Sequence, residues 1–395
     1  MLSSDIYFRP AFGNVFLAQN MTVVSKKFIN IDSEEMCKAL HIISIANQIC
    51  VNALRGDYVG VAYAEHFKSI RCICLIMYKV LLVGLGNIGM KYDFDDFTED
   101  KILTHAKAFD VHQSFEICGA VDVDENAITK FKTRYSGKVF KRLEDALDCL
   151  NPDVIVISVP TEEQLSCIEI IAKNSAPAII LCEKPMSVNF VKAERVINKL
   201  ESTGIKIFIN YMRNVEPGVL EFKNLVNNGL KTPVNGVVWY TKGMYNSASH
   251  FVSLLQTLLG DVIGSERISP KQENNNNDPE LDFSISFTNG VVRFLALDSL
   301  GYSHASLELI SNNGRFTYDY GGEVIGWNGL VESNVYPGYT YLEKRKIDLD
   351  TDFFRMQFHV VQQIYKQLVE GNCDLSTGRS ALSVIKILGK IETDK

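Results

Sequence analysis

The chain lacks most of the features that would tie it to metal, nucleic acid or membrane. Its nine cysteines include no C-x-x-C pair; Cys72 and Cys74 make only a C-x-C, so neither a zinc site nor a disulfide framework is indicated. Scattered single thiols fit a reducing, cytoplasmic setting. No long Lys/Arg run occurs, and the net charge of -7 argues against nucleic acid or an anionic membrane as partner. The longest apolar run, Cys72 to Gly86, is broken by Lys79 and too short to span a bilayer. The amino terminus has neither the basic start nor the apolar stretch of a secretory signal. Internal repeats are absent, and low complexity is confined to Asn274 to Asn277, read with Asp278 and Pro279 as an exposed loop.

What remains is ample core material: 395 residues, 46% hydrophobic and 22% charged, suggest two or three globular domains with a small molecule as the default ligand. The segment Tyr78 to Gly89 reads YKVLLVGLGNIG, an apolar strand that breaks into a G-x-G-x-x-G turn and a helix start. Gly84 permits the tight turn, Gly86 lets a pyrophosphate approach the backbone, and Gly89 lets the helix pack on the strand. Free N–H groups at that helix start, around Asn87 and Ile88, attract phosphate charge.

A second strand, Phe115 to Val121, ends at Asp122, whose carboxylate is placed to accept hydrogen bonds from an adenosine ribose and to repel a 2'-phosphate. NAD is therefore expected over NADP, with Asp124 the competing acid. Asp122 lies 38 residues beyond Gly84 where about 20 is usual. A polar, acidic insertion over roughly Met90 to Thr104 accounts for the excess.

Four segments follow from the pattern. Residues 1–76 form an extension of unassigned role, with one amphipathic helix predicted from the capping-box spacing of Asp32 and Glu35 and the stripe Met36, Leu40, Ile43, Ile49, Ala53, ending near Gly56. Because the nucleotide fold begins at Lys79, this extension is expected to be dispensable for it. Residues 77–213 alternate strands near 79–83, 115–121, 153–158, 178–182 and 206–210 with helices near 104–111, 125–135, 162–173 and 187–203, an α/β Rossmann dinucleotide-binding domain. Residues 214–375 form an α+β domain with a largely antiparallel open sheet. Its strands fall at 236–240, 281–287, 291–297, 305–310 and 315–320, with an Asn289-Gly290 turn, and its helices near 218–229, 247–259 and 353–370. A closing helix occupies about 376–391 of the final segment, 376–395.

After the strand ending at Cys182 comes Glu183-Lys184-Pro185, where strands of an open α/β sheet point into the ligand crevice. With the glycine turn, this tripeptide makes the chain resemble the glucose-fructose oxidoreductase and inositol dehydrogenase family, Gfo/Idh/MocA. The resemblance runs from Lys79 to the final helix and includes Val159-Pro160-Thr161, His105, the stretch Asn210 to Arg213 (NYMR), and Asn246 to His250 (NSASH). It implies an NAD(P)-binding Rossmann domain, a second domain with an open sheet that commonly forms subunit interfaces, hence a homodimer or homotetramer, and hydride transfer at a sugar or polyol carbon. It further implies that Lys184 and His250 face the nicotinamide, with Pro160, Thr161 and Glu183 near the cofactor. Two positions depart from the family pattern: Asn246 stands where an aspartate is usual, and Gln164 where many members have a histidine.

The chemistry of the side chains points the same way. Taking hydride from a secondary alcohol requires a base for the hydroxyl proton and a donor for the developing oxygen charge. His250 suits the first role and Lys184 the second. Four-residue spacing would place Asn246 and His250 on one helix face, so that the amide binds substrate or orients the ring. Arg213 is a candidate contact to substrate or cofactor, and Tyr211 and Tyr245 are candidates for stacking on a sugar; His105 and His112 read as packing residues. The expected function is an NAD-dependent oxidoreductase of a sugar, polyol or nucleotide sugar. The branch resembled is associated with surface-polysaccharide synthesis. The alternative is a non-catalytic NAD-dependent sensor or regulator, favoured by the amide at Asn246.

Overall fold

The structure, a computed structural model, describes residues 77–226, 230–268, 278–297 and 301–394. The helix read within 32–56 and the loop at 274–277 lie outside them. Strand β1 (Tyr78–Val83) is apolar on both faces from Val80 onward and buried there, the signature of a strand covered by helices on both sides. It pairs in parallel with β2 (Phe115–Val121) on one side and β4 (Val154–Ile157) on the other. A short β3 (Lys138–Phe140) lies beyond β2, while β5 (Ile179–Cys182) and β6 (Lys206–Ile209) extend the opposite edge, also parallel. The order β3-β2-β1-β4-β5-β6 is the doubly wound arrangement whose ligand crevice opens between the carboxyl ends of β1 and β4.

Helices α1 (His105–Val111), α2 (Glu125–Arg134), α3 (Leu143–Cys149), α4 (Thr161–Asn174) and α5 (Phe190–Glu201) cover this sheet. Their starts follow capping chemistry: Thr104, Asp124 and Asn189 accept from backbone N–H groups two or three residues on. Neither β3 nor α3 is expected from sequence; three and seven residues are too few for a periodic pattern to declare itself. The helix expected directly after the glycine turn is also divided. Asn87–Lys91 winds only one π-type turn, and α1 begins after the insertion. Buried Asp93 ties that insertion down, accepting from the N–H groups of Leu103 (2.6 Å) and Thr104 (3.2 Å) and from the Thr104 hydroxyl (2.6 Å).

The second sheet contains β7 (Val234–Tyr240), β8 (Val262–Arg267), β9 (Phe283–Phe287), β10 (Gly290–Ala296), β11 (Ala305–Ser311), β12 (Gly314–Asp319), β13 (Val324–Asn328) and, beyond the separate hairpin β14 (Leu330–Glu332) and β15 (Thr340–Leu342), β16 (Ile347–Leu349). It runs β16-β13-β12-β11-β7-β10-β9-β8 and is antiparallel except where β10 lies parallel to β7. Alternation sets its buried face: Phe283, Ile285 and Phe287 point inward, and Phe283 stacks on Phe294 at 4.5 Å. The β9–β10 loop is Thr288-Asn289, one residue earlier than the Asn289-Gly290 turn expected from sequence, since Gly290 already pairs with Phe287. Gly290 instead admits the close parallel neighbour β7, because a Cβ there would sit 2.5 Å from the Val234 carbonyl.

Helices α6 (Pro217–Leu225) and α7 (Ser249–Leu259) pack on the inner face, and α8 (Met356–Glu370) returns to the first sheet, burying Val360, Val361 and Ile364 with Val80, Leu82 and Phe109. Strand β17 (Ser376–Thr377) then joins β6 antiparallel. The last helix, α9 (Gly378–Thr393), buries Val384, Ile385 and Leu388 in a core that runs from Ile180 and Ile209 of one sheet to Val238 and Phe283 of the other. Truncating a side chain such as Leu388 to alanine in a core of this kind costs about 2–5 kcal/mol. The two sheets are thus held in register around the crevice between them.

Candidate active site

The glycine turn at the end of β1 has three distinct environments. Gly84 has φ +97, and a Cβ there would meet the Ser158 backbone at 2.7 Å. A Cβ on Gly89 would collide with the Gly84 carbonyl, so Gly89 is what lets the chain fold back onto the strand end. A Cβ on Gly86 would meet nothing within 4 Å: the backbone there borders open space. This is the division of labour a pyrophosphate cradle needs, and the N–H groups of Asn87 and Ile88 open the turn beside it. Ser158, which carries no sequence motif, braces the turn by donating to the Gly84 carbonyl at 2.9 Å. Pro160 and Thr161 follow it and start α4 at the mouth of the crevice.

Asp122 stands at the end of β2 beside this turn. Its Oδ2 accepts from the Leu85 N–H (2.6 Å) and its Oδ1 from the Asp124 N–H (2.8 Å), which fixes the carboxylate against the glycine loop. Each oxygen keeps a second lone pair for a ribose hydroxyl. Asp124 is occupied otherwise: it caps α2 through Asn126. The residues present therefore fit NAD: Gly84, Gly86, Asn87, Ile88 and Gly89 could hold the phosphates and Asp122 the ribose.

Past β5, Glu183 and Lys184 diverge. Glu183 turns inward, its Oε1 accepting from His105 Nε2 (2.8 Å) and Asn210 Nδ2 (2.7 Å), which holds the carboxyl below the usual range despite burial. It pins α1 and the end of β6 to the floor of the crevice. Gln164 is likewise built in, donating to the Val159 carbonyl and accepting from the Cys182 thiol. Lys184 turns toward the second domain. Its Nζ donates to the Asn246 backbone carbonyl (2.7 Å) and side-chain Oδ1 (2.8 Å), leaving one of three donors unassigned. Burial, then the Arg213 charge, lowers its pKa, against the raising effects of Glu183 and Asp278.

His250 lies in the first turn of α7, 5% exposed, with its ring edge-on to Tyr211 at 5.6 Å. Burial, with Lys184 and Arg213 adding to it, pushes its pKa well down, so the neutral imidazole is the resting form. Its Nδ1 is buried with no partner among the described residues. Asn246 sits on the π-type turn Met244–Ala248, where its amide holds Lys184 and donates to the Lys242 carbonyl (3.2 Å). Arg213 comes in from the turn after β6: its guanidinium lies 5.0 Å over Phe251, and Nη1 donates to the Tyr318 hydroxyl (3.0 Å) and the Gly321 carbonyl.

Three residues differ in role from the sequence expectation or confirm a packing one. Tyr245 is a core residue whose hydroxyl donates to Glu392 (2.8 Å), and Tyr211 is buried beneath His250; neither offers a free face for a sugar. His112 packs on Phe115 and Tyr365, as expected. The residue that sequence reasoning misses is Asp278, which reads as part of a loop. Its two oxygens accept from the N–H groups of Tyr245 (2.7 Å) and Asn246 (2.8 Å), and it presses on Gly243, whose lack of a Cβ leaves room for it. It brings a carboxylate to the turn that carries Asn246, and its charge reaches Lys184. The only hint in the sequence is an acid just after a polar tract.

Residues 78–211 match the model of the oxidoreductase family with an NAD-binding Rossmann fold, Gfo/Idh/MocA. Myo-inositol 2-dehydrogenase of Thermotoga maritima is 23% identical over 154 residues, 38% of this chain and 41% of that protein, so the match spans less than half of the relative. Among solved structures, the WlbA dehydrogenase of Bordetella pertussis, in complex with NADH and UDP-GlcNAcA, superposes with a TM-score of 0.63 at 16% identity, covering 81% of this chain and 96% of that one. UDP-N-acetylglucosamine 3-dehydrogenase GnnA of Acidithiobacillus ferrooxidans gives 0.63 at 12% identity, covering 80% and 97%. At such identities the likeness concerns the fold. Among the described residues no helix is long and apolar enough to cross a membrane. Over residues 78–211 the chain is thus similar to the NAD-binding Rossmann fold of the Gfo/Idh/MocA oxidoreductases, in agreement with its glycine cradle and sheet order.

Proposed function

We propose that this protein moves hydride between NAD and a secondary alcohol or carbonyl of a sugar, polyol or nucleotide sugar, with His250 as base and Lys184 as the donor that holds the reacting oxygen. The observation that carries this reading is that Lys184 is held by two bonds to Asn246, four residues before His250, with its charge felt by the imidazole. Bound NAD supplies the hydride acceptor. For the alcohol carbon to give up hydride, its hydroxyl proton must also leave, and the neutral imidazole of His250 is in the state to take it. The Lys184 ammonium then stabilises charge building on the oxygen. Glu183, locked onto His105 and Asn210, positions the backbone from which Lys184 projects.

The relatives support a sugar-like substrate: one is a myo-inositol dehydrogenase, one is in complex with UDP-GlcNAcA, and one is named for UDP-N-acetylglucosamine. Self-association of the outer sheet face, where Trp239, Val291 and Ile310 are exposed, fits the same reading. A non-catalytic NAD-dependent sensor is the second reading, favoured by Asn246, an amide that can hold Lys184 but cannot carry a proton. Lys184→Ala and His250→Ala decide between them: each should lower kcat by roughly 10²- to 10⁴-fold with NAD affinity nearly intact. Sugar and NAD binding with no turnover by the unmodified protein would favour the sensor.

A further inference from the structure

The crevice holds two cations, and neither has an acid of its own. Among the described residues Lys184 and Arg213 form no ion pair; the lysine is bonded to a neutral amide, and the guanidinium to a phenol and a carbonyl. The acids nearby are committed. Glu183 accepts from His105 and Asn210, and Asp278 accepts from two backbone N–H groups of the 244–248 turn. Arg213 is also built rather than loosely placed. It is stacked over Phe251 at 5.0 Å and Tyr318 at 5.6 Å, its Nη1 is tied to the turn at Gly321, and its Nε is buried without a partner. A guanidinium fixed in this way on one side, with donors unspent on the other, presents a rigid fork suited to a planar or tetrahedral oxyanion.

Electrostatics sharpen the point. A buried imidazole beside two unpaired positive charges is a poor proton acceptor, because both charges oppose its protonation. An anionic group seated on the Arg213 fork would offset that opposition as it binds, so the base would gain strength only when the right ligand is present.

Resting on the proposed function of this site, we propose that its substrate carries a compact oxyanion, a ring carboxylate or a sugar phosphate, recognised by the Arg213 fork, while the last free Lys184 donor holds the reacting oxygen. A neutral sugar would leave the guanidinium facing a hydroxyl and would be discriminated against. The nicotinamide cofactor's own phosphates do not meet this need, since their cradle is the glycine turn at Gly86.

The test uses the full-length protein saturated with NAD, with melting and titration against D-glucose, D-glucuronate and glucose 6-phosphate at matched ionic strength. The expected result is tighter binding of at least one anionic sugar than of glucose, by roughly tenfold or more, the worth of one charge-assisted hydrogen bond. The glucuronate and phosphate arms distinguish the two sources of the anion. Arg213→Met should abolish that preference, and Arg213→Lys, which keeps the charge but not the fork, should retain part of it. If Arg213→Met does not fold, Arg213→Gln carries the same expectation. Equal binding of glucose and both anions, or no response to either anion while NAD binds normally, would overturn the proposal and leave the hydride-transfer reading standing. Failure to bind NAD would instead strike at that reading.

Discussion

The three glycines of the cradle make a prediction in which fold and cofactor binding separate. Gly86 has φ -69, an ordinary backbone angle for any residue, and a Cβ there meets nothing within 4 Å. Gly86→Ala should therefore leave the free protein as stable as before, or raise stability by about 0.4–1 kcal/mol through the unfolded chain. The same methyl occupies the space through which a pyrophosphate must approach the backbone, so the Kd for NAD should rise at least about tenfold, or 1.4 kcal/mol. Gly84→Ala should do the opposite to stability. At φ +97 an L-residue is strained by roughly 1–2 kcal/mol, and its Cβ would press on the Ser158 backbone at 2.7 Å, adding a clash that only movement of β1 or β4 can relieve. Gly89→Ala meets the Gly84 carbonyl and should behave likewise. Melting of the NAD-free protein, followed by NAD titration of each variant, reads both effects, with about 2 °C of Tm expected per kcal/mol in a chain of this size. A Gly86→Ala protein that binds NAD as tightly as the parent, or that melts as early as Gly84→Ala, would refute the assignment of the cradle.

Three further outcomes follow from the site. NAD should bind at least about tenfold tighter than NADP, with Asp122→Ala narrowing the gap because the repelling carboxylate is gone; equal affinities in the parent protein would remove Asp122 from the ribose. Asp278→Ala leaves the N–H groups of Tyr245 and Asn246 unpaired and should cost about 1–3 kcal/mol, read as a lower Tm, whereas Asp278→Asn keeps an acceptor and should cost less. An unchanged Tm in Asp278→Ala would show that the turn does not depend on it. Asn246→Asp sets a carboxylate beside Lys184, offsetting the positive field that adds to burial in holding the His250 pKa down. With that pKa raised, the imidazole loses its proton at higher pH, so the limb of alcohol oxidation that rises with pH should move upward. A superimposable pH profile would mean that the two positions are not coupled.

The first domain is legible in the sequence because its signals are local. The glycine spacing after β1, the apolar strands buried on both faces and the caps at Thr104, Asp124 and Asn189 each operate within about ten residues, and the structure places those elements to within a few residues of the expectation. Lys184 is identifiable because a charged residue at a strand end in such a sheet has one crevice to point into. Other features have no local signature. The strands β13 to β16 are short, and Gly326 interrupts β13, so they exist through pairing rather than periodicity. The π-type winding of residues 244–248 is invisible to a rule that assumes α-helical register, and so is the bond from Lys184 to the Asn246 side chain. Glu183 meets His105 across 78 positions, and Asp278 meets Asn246 across 32. The sequence alone determined that this protein builds a dinucleotide seat and carries Lys184 at the end of its fifth strand. Tertiary structure alone decided which acids are spent on holding the site together, because a hydrogen bond between distant segments is chosen by how the two sheets close on each other.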